Sequence, residues 1–214
     1  MPFPEPYVHL LQDSHTHPAI LLPGRRSTGP EFAELFSSKS PKGHNLSSSL
    51  PNWHICSWFD AYSQDDIHER QDLQVDGIKE SVTHILSILY NRIGRLGGKT
   101  RHVYLGRISQ GMATALRTLI CATNQIRRPL GGFVGFCGWF PFAQQVEDLF
   151  QSHGSDDAWF PADPDRQAAR VLQQIRIPVQ WHEFTGADSD GHWIKVPEGF
   201  DQILQFLEES NSRA

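Results

Sequence analysis

The sequence predicts an α/β fold with a mainly parallel sheet and helices on both faces. Three features carry that prediction: short continuously apolar runs closed by Pro or Gly, segments of helical period between them, and the alternation of the two along the chain. The 214 residues have the length of one domain. An apolar fraction of 39%, with six Trp and thirteen Phe, is enough to fill its core. The expected organisation is a single domain over 1–214, with an N-terminal segment at 1–17 and a Ser-rich flexible loop at 37–51.

The first strand is Ala19-Ile-Leu-Leu22, an apolar run stopped by Pro23-Gly24 that suits burial on both faces. Pro30 to Phe36 follows with apolar residues at helical spacing and Glu31 in the first turn, where the helix dipole favours negative charge. The strongest period lies in Gly77 to Ile93, where Ile78, Val82, Ile85, Leu86, Leu89 and Ile93 share one helix face. Gly97-Gly98 ends it. His102 to Gly106 reads as a strand that turns sharply into a helix at Ser109. A strand at Gly132 to Cys137, a helix at Asp165 to Ile175, a strand at Val179 to Phe184 and a helix at Phe200 to Glu208 complete the order.

Composition removes several function classes. Only 20% of residues are charged and the net charge is −5, so no basic field exists to hold a phosphate backbone or an anionic bilayer. No apolar run approaches the ~20 residues that cross a membrane, and Met1-Pro-Phe-Pro-Glu-Pro6 lacks the pattern of a secretory signal. A cytoplasmic protein with no stable membrane anchor and no nucleic-acid partner is expected. The three cysteines, Cys56, Cys121 and Cys137, form no C-x-x-C pair, so reduced thiols and no zinc knuckle are expected. Gly98-Lys-Thr100 lacks the upstream glycine of a phosphate loop, Asp188-x-Asp190-Gly191 lacks the terminal ligands of a calcium loop, and His15-x-His17, even with His9, is joined by no carboxylate or Cys at ligand spacing.

A serine at a strand-to-helix bend stands clear of the sheet edge, but its hydroxyl needs a base and a group to hold that base. Downstream of Ser109 the chain offers Asp157, in His153-Gly-Ser-Asp-Asp-Ala-Trp159, and His192, in Gly191-His-Trp193. Both lie in loops, where open α/β sheets bind ligands. Asp156 is an alternative acid beside Asp157. Read singly, Ser109 is more often a helix-capping serine than a nucleophile, and the companion motifs reverse that.

At these residues the chain resembles the acyl-protein thioesterase and carboxylesterase group of α/β hydrolases, its fungal-type members in particular. The matching pieces, in order, are Ile20-Leu-Leu-Pro-Gly-Arg-Arg-Ser27 with Glu31-Phe-Ala33, Trp58-Phe-Asp60, Glu69-Arg-Gln71, Gly77-Ile-Lys-Glu-Ser81, Leu105-Gly-Arg-Ile-Ser-Gln-Gly111, Gly131-Gly-Phe133, Gly138-Trp-Phe-Pro-Phe142, His153-Gly154 with Asp157, and Gly191-His-Trp193 with Val196-Pro-Glu198. The resemblance implies an α/β-hydrolase fold and cleavage of an ester or thioester without a cofactor or metal. It makes Ser109 the nucleophile, His192 the base and Asp157 its orienter, and it assigns the oxyanion hole to the backbone N–H groups of Gln110 and Arg25. It also implies a small or lipid-like acyl substrate, an acylated protein among them. Trp139, Phe140, Phe142, Trp159 and Phe160 are candidates to line an acyl channel, though aromatics of this kind are more often core.

The chain departs from the family pattern in four places. Arg107 stands at the elbow's first glycine position, which predicts a distorted turn, and Pro23 replaces a histidine, which removes a support of the oxyanion loop. The segments before Trp58 and before His153 look short, so the sheet is expected to lack one or two strands. Three readings stay open on sequence alone: a working hydrolase with an altered site, a relative repurposed for binding or another reaction such as one in fungal small-molecule metabolism, and a damaged or mispredicted reading frame.

Overall fold

The computed structural model describes residues 3, 5–8, 17–24, 27–39, 57–60, 73–122, 126, 128–137, 149–159, 162–163, 166, 169–170, 173 and 178–213. Among them five parallel strands form one sheet in sequential order: β1 (Ala19–Leu22), β2 (Tyr104–Ile108), β3 (Gly132–Phe136), β4 (Leu149–Gly154) and β5 (Val179–Phe184). The helices whose full ranges are described are α1 (Gly29–Lys39), α2 (Gln74–Arg95), α3 (Gly111–Ala122) and α4 (Glu198–Ser212). A parallel strand can follow its neighbour only through a crossover, so helices come to cover both faces.

The apolar runs do not alternate because β2 and β3 are buried at every position. On one face Leu22, Leu105 and Phe133 pack with Ile85 and Leu89 of α2 and Met112, Ala115 and Leu119 of α3. On the other, Ile108, Val134 and Phe136 meet Phe32 of α1 and Phe200, Ile203 and Phe206 of α4. The α2 period is therefore the imprint of one buried stripe, with Val82, Ile85 and Leu89 facing inward.

Several sequence expectations are corrected here. The strand before His153-Gly154 is not lost to the short segment: β4 occupies 149–154 and pairs with both neighbours. The Ser-rich stretch does not begin as a loop at 37, because α1 continues to Lys39; its remainder lies outside the described residues. The second strand starts at Tyr104 instead of His102, since Thr100–His102 close into a short 3-10 turn after α2. Of the helix expected at Asp165 to Ile175, the described residues 166, 169, 170 and 173 are helical. There Arg166 holds both carboxylate oxygens of Glu183 on β5, at 2.6 and 2.7 Å, and the Trp181 indole donates to the same carboxylate. These bonds hold the Glu183 carboxyl well below its usual range, at about 2. No described helix is long and apolar enough to cross a membrane.

Candidate active site

The carboxyl ends of β2, β3 and β4 lie side by side, and each ladder extends one bond past its strand. Ser109 N–H donates to Phe136 O (3.3 Å), and Cys137 N–H donates to Ser152 O (3.1 Å). Ser109 has φ +51°, a left-handed setting that costs a non-glycine residue energy and that a strand-to-helix elbow imposes. Met112 N–H donates back to Ser109 O (2.8 Å) as α3 begins. The elbow's last glycine is fixed by space, because a Cβ on Gly111 would stand 2.8 Å from the carbonyl oxygens of both Leu22 and Pro23.

The expected distortion at Arg107 does not occur. Its register partner across β2–β3 is Gly135, and the guanidinium fills the space that the missing side chain leaves. The side chain is buried on the α2/α3 face, with its guanidinium carbon 4.1 Å from the centroid of Phe133. Phe133 pairs with Leu105, two residues earlier in the strand, so the guanidinium runs back along the sheet, away from Ser109.

Asp157 and His192 meet. The His192 Nδ1 lies 2.7 Å from Asp157 Oδ2, and because a carboxylate only accepts, Nδ1 is the donor; in the neutral ring this leaves the lone pair on Nε2. Buried His153 approaches the same oxygen through Nε2 at 3.2 Å, and the Trp159 N–H donates to Oδ1 at 2.8 Å. Burial by itself would raise the Asp157 pKa; the hydrogen bonds from His153, His192 and Trp159 outweigh it and hold the carboxyl well below the usual range. Asp156 is engaged elsewhere, accepting from Gly186 N–H at 2.7 Å. The role of His153 was missed in the sequence, although its place four residues before Asp157 was the available signal.

The loops carrying the two residues interlock through glycines. A Cβ on Gly154 would stand 2.1 Å from Gly191 O, and one on Gly191 (φ +84°) would stand 2.7 Å from Asp157 N. Ala158 N–H donates to Asp190 O at 2.9 Å, closing the same contact.

Gln110 uses its side chain as a clamp. Its Oε1 accepts from Trp58 N–H (3.1 Å) and its Nε2 donates to Phe59 O (2.8 Å). The Trp58 indole in turn donates to Pro23 O at 2.7 Å, and Ser81 donates to Trp58 O. The loop after β1, expected to lose a support with the histidine, is thus held by Trp58. Arg25, Trp139, Phe140, Phe142 and Phe160 lie outside the described residues. Trp159 is 55% exposed and stands two residues from Asp157, whose carboxylate accepts from its backbone N–H.

Residues 35–211 match the sequence profile of the phospholipase/carboxylesterase family. The chain belongs to that family. This phospholipase/carboxylesterase member is also similar in fold to Arabidopsis thaliana SOBER1, with 20% identity, a TM-score of 0.65, and coverage of 90% of this chain and 97% of that one. Zea mays acyl-protein thioesterase 2 aligns at 18% identity and a TM-score of 0.65, over 95% and 97% of the two chains. A Bacillus cereus carboxylesterase aligns at 13% and 0.62, over 93% and 91%. A search of curated proteins by sequence gave no match. The family is one of esterase-type hydrolases, and its fold accounts for the order of the parallel sheet.

Proposed function

We propose that this protein is a serine hydrolase that cleaves a carboxylic ester or thioester through an acyl-enzyme. The observation that supports the reading is the Asp157–His192 bond at 2.7 Å, beside a strained elbow at Ser109 on the carboxyl end of the same sheet. Ser109 Oγ attacks the acyl carbon as its proton passes to His192, and Asp157 holds the ring and balances the imidazolium. The proton then goes to the leaving alcohol or thiol. Water, activated by the same ring, releases the acid. The family resemblance assigns the oxyanion hole to the N–H groups of Gln110 and Arg25, and one such donor lowers the barrier by about 3 kcal/mol. Thioester cleavage is favoured by the likeness to the maize acyl-protein thioesterase, and exposed Trp159 offers a lipid-like acyl group a first apolar surface.

A fluorophosphonate probe tests the reading. Labelling of the folded protein that disappears in Ser109→Ala is the expected result. Absence of labelling in the wild type assigns the chain to a repurposed relative instead.

A further inference from the structure

Cys137 closes β3 with φ +43° and a buried side chain. Its Sγ, a carboxylate oxygen of Asp157 and a ring nitrogen of His192 all lie within 4.8 Å of one another. The hydrolytic cycle uses the last two groups and has no task for the thiol. One sulfur, one imidazole and one carboxylate form a donor set that selects zinc over magnesium or calcium, which prefer oxygen alone. Tetrahedral zinc at about 2.0–2.3 Å from each donor sets the donors roughly 3.3–3.8 Å apart. The three donors come from separate segments and lie within 4.8 Å of one another, so they draw together by at most about 1–1.5 Å to share one ion. The low exposure of the donors, 0% for the Asp157 side chain and 16% for His192, strengthens charge–charge attraction at the centre.

We propose that Cys137, Asp157 and His192 form an inhibitory zinc site. Zinc takes the thiolate, with the thiol proton released to solvent, together with one Asp157 oxygen and one ring nitrogen of His192. If the metal bonds Nε2, that lone pair is blocked; if it bonds Nδ1, the displaced ring proton moves to Nε2. Either way the imidazole has no lone pair for Ser109. Inhibition rests on the hydrolase reading above, whereas coordination does not.

Cobalt(II) separates the two. In Cys56→Ser/Cys121→Ser protein, Cys137 is the only thiol left. A thiolate-to-cobalt charge-transfer band that saturates at one equivalent and is abolished by zinc is expected. Adding Cys137→Ser should remove the band and weaken zinc affinity by at least about 100-fold, since losing a ligand exceeds losing an outer partner. Should Cys137→Ser not fold, His192→Ala, on a partly exposed loop, must weaken or shift the band. No band in folded protein, or a band unchanged by His192→Ala, overturns the site. Zinc should also suppress fluorophosphonate labelling, with recovery on adding EDTA; full labelling at saturating zinc overturns the inhibition. A cobalt band in protein that never labels keeps the metal site and removes the hydrolase.

Discussion

Arg107 lies across the ring of Phe133, its guanidinium carbon 4.1 Å from the centroid, in space that Gly135 leaves open on the next strand. A long cationic side chain is thereby carried inside the sheet–helix layer without disturbing the elbow two residues on. Arg107→Ala empties that space and should cost about 2–4 kcal/mol in denaturant unfolding. Its fluorophosphonate labelling rate should stay within about threefold of wild type, under 1 kcal/mol of barrier. A much larger loss of rate with stability retained would give the guanidinium a catalytic task.

The Gln110 carboxamide spans Trp58 and Phe59 with one donated and one accepted bond. Gln110→Ala should lower stability by about 1–3 kcal/mol. Gln110→Glu keeps the bond from Trp58 N–H but sets a carboxylate against Phe59 O, so it should be the worse of the two. Trp58→Phe removes only the donor to Pro23 O and should cost about 1 kcal/mol. Thermal unfolding of the three variants checks the order.

Gly154 and Gly191 meet so closely that a methyl group at 154 has to displace the His192 loop. Gly154→Ala should lower the labelling rate by about 100-fold while the protein stays folded, the usual effect of moving a reacting group by about 1 Å. Circular dichroism beside the rate assay separates misplacement from unfolding.

The depressed pKa of Asp157 fixes a sign for stability against pH. A carboxyl that binds its proton less readily in the native state stabilises the fold above its unfolded pKa, about 3.9, and that contribution fades as pH falls toward the native value. His153→Leu removes one of its hydrogen bonds, so the acid-unfolding limb should move to higher pH and stability at pH 7 should drop by about 1–3 kcal/mol. An unchanged acid limb would show that His153 does not act on Asp157.

Asp157→Asn should lower hydrolysis by about 10⁴-fold, because an amide can present its NH₂ to the ring and stabilise the wrong tautomer. Asp156→Asn should leave the rate near wild type, since Asp156 bonds Gly186 N–H. Single-turnover acylation of both variants distinguishes the two neighbouring acids.

Legibility followed the range of the interactions involved. The stretches Ala19–Leu22 and Val179–Phe184 match their strands, and α2 differs from its sequence limits by only a few residues, because burial stripes and strand runs are written locally. The strand at 149–154 was underestimated, because Gln151, Ser152 and His153 carry no apolar run; pairing with β3 and β5 makes it a strand. Arg107 reads as a fault along the chain and becomes a fit only across it, where Gly135 stands opposite.

By itself the sequence determined the alternation of strands and helices, the family, and the order Ser109, Asp157, His192, since each depends on residue types and their spacing. Only the tertiary structure decided between Asp156 and Asp157, gave His153 to the same carboxylate, tied Gln110 to Trp58, and set Cys137 beside the pair. Those choices depend on distances between segments far apart in the chain, and such distances exist only once the sheet has brought its carboxyl ends together.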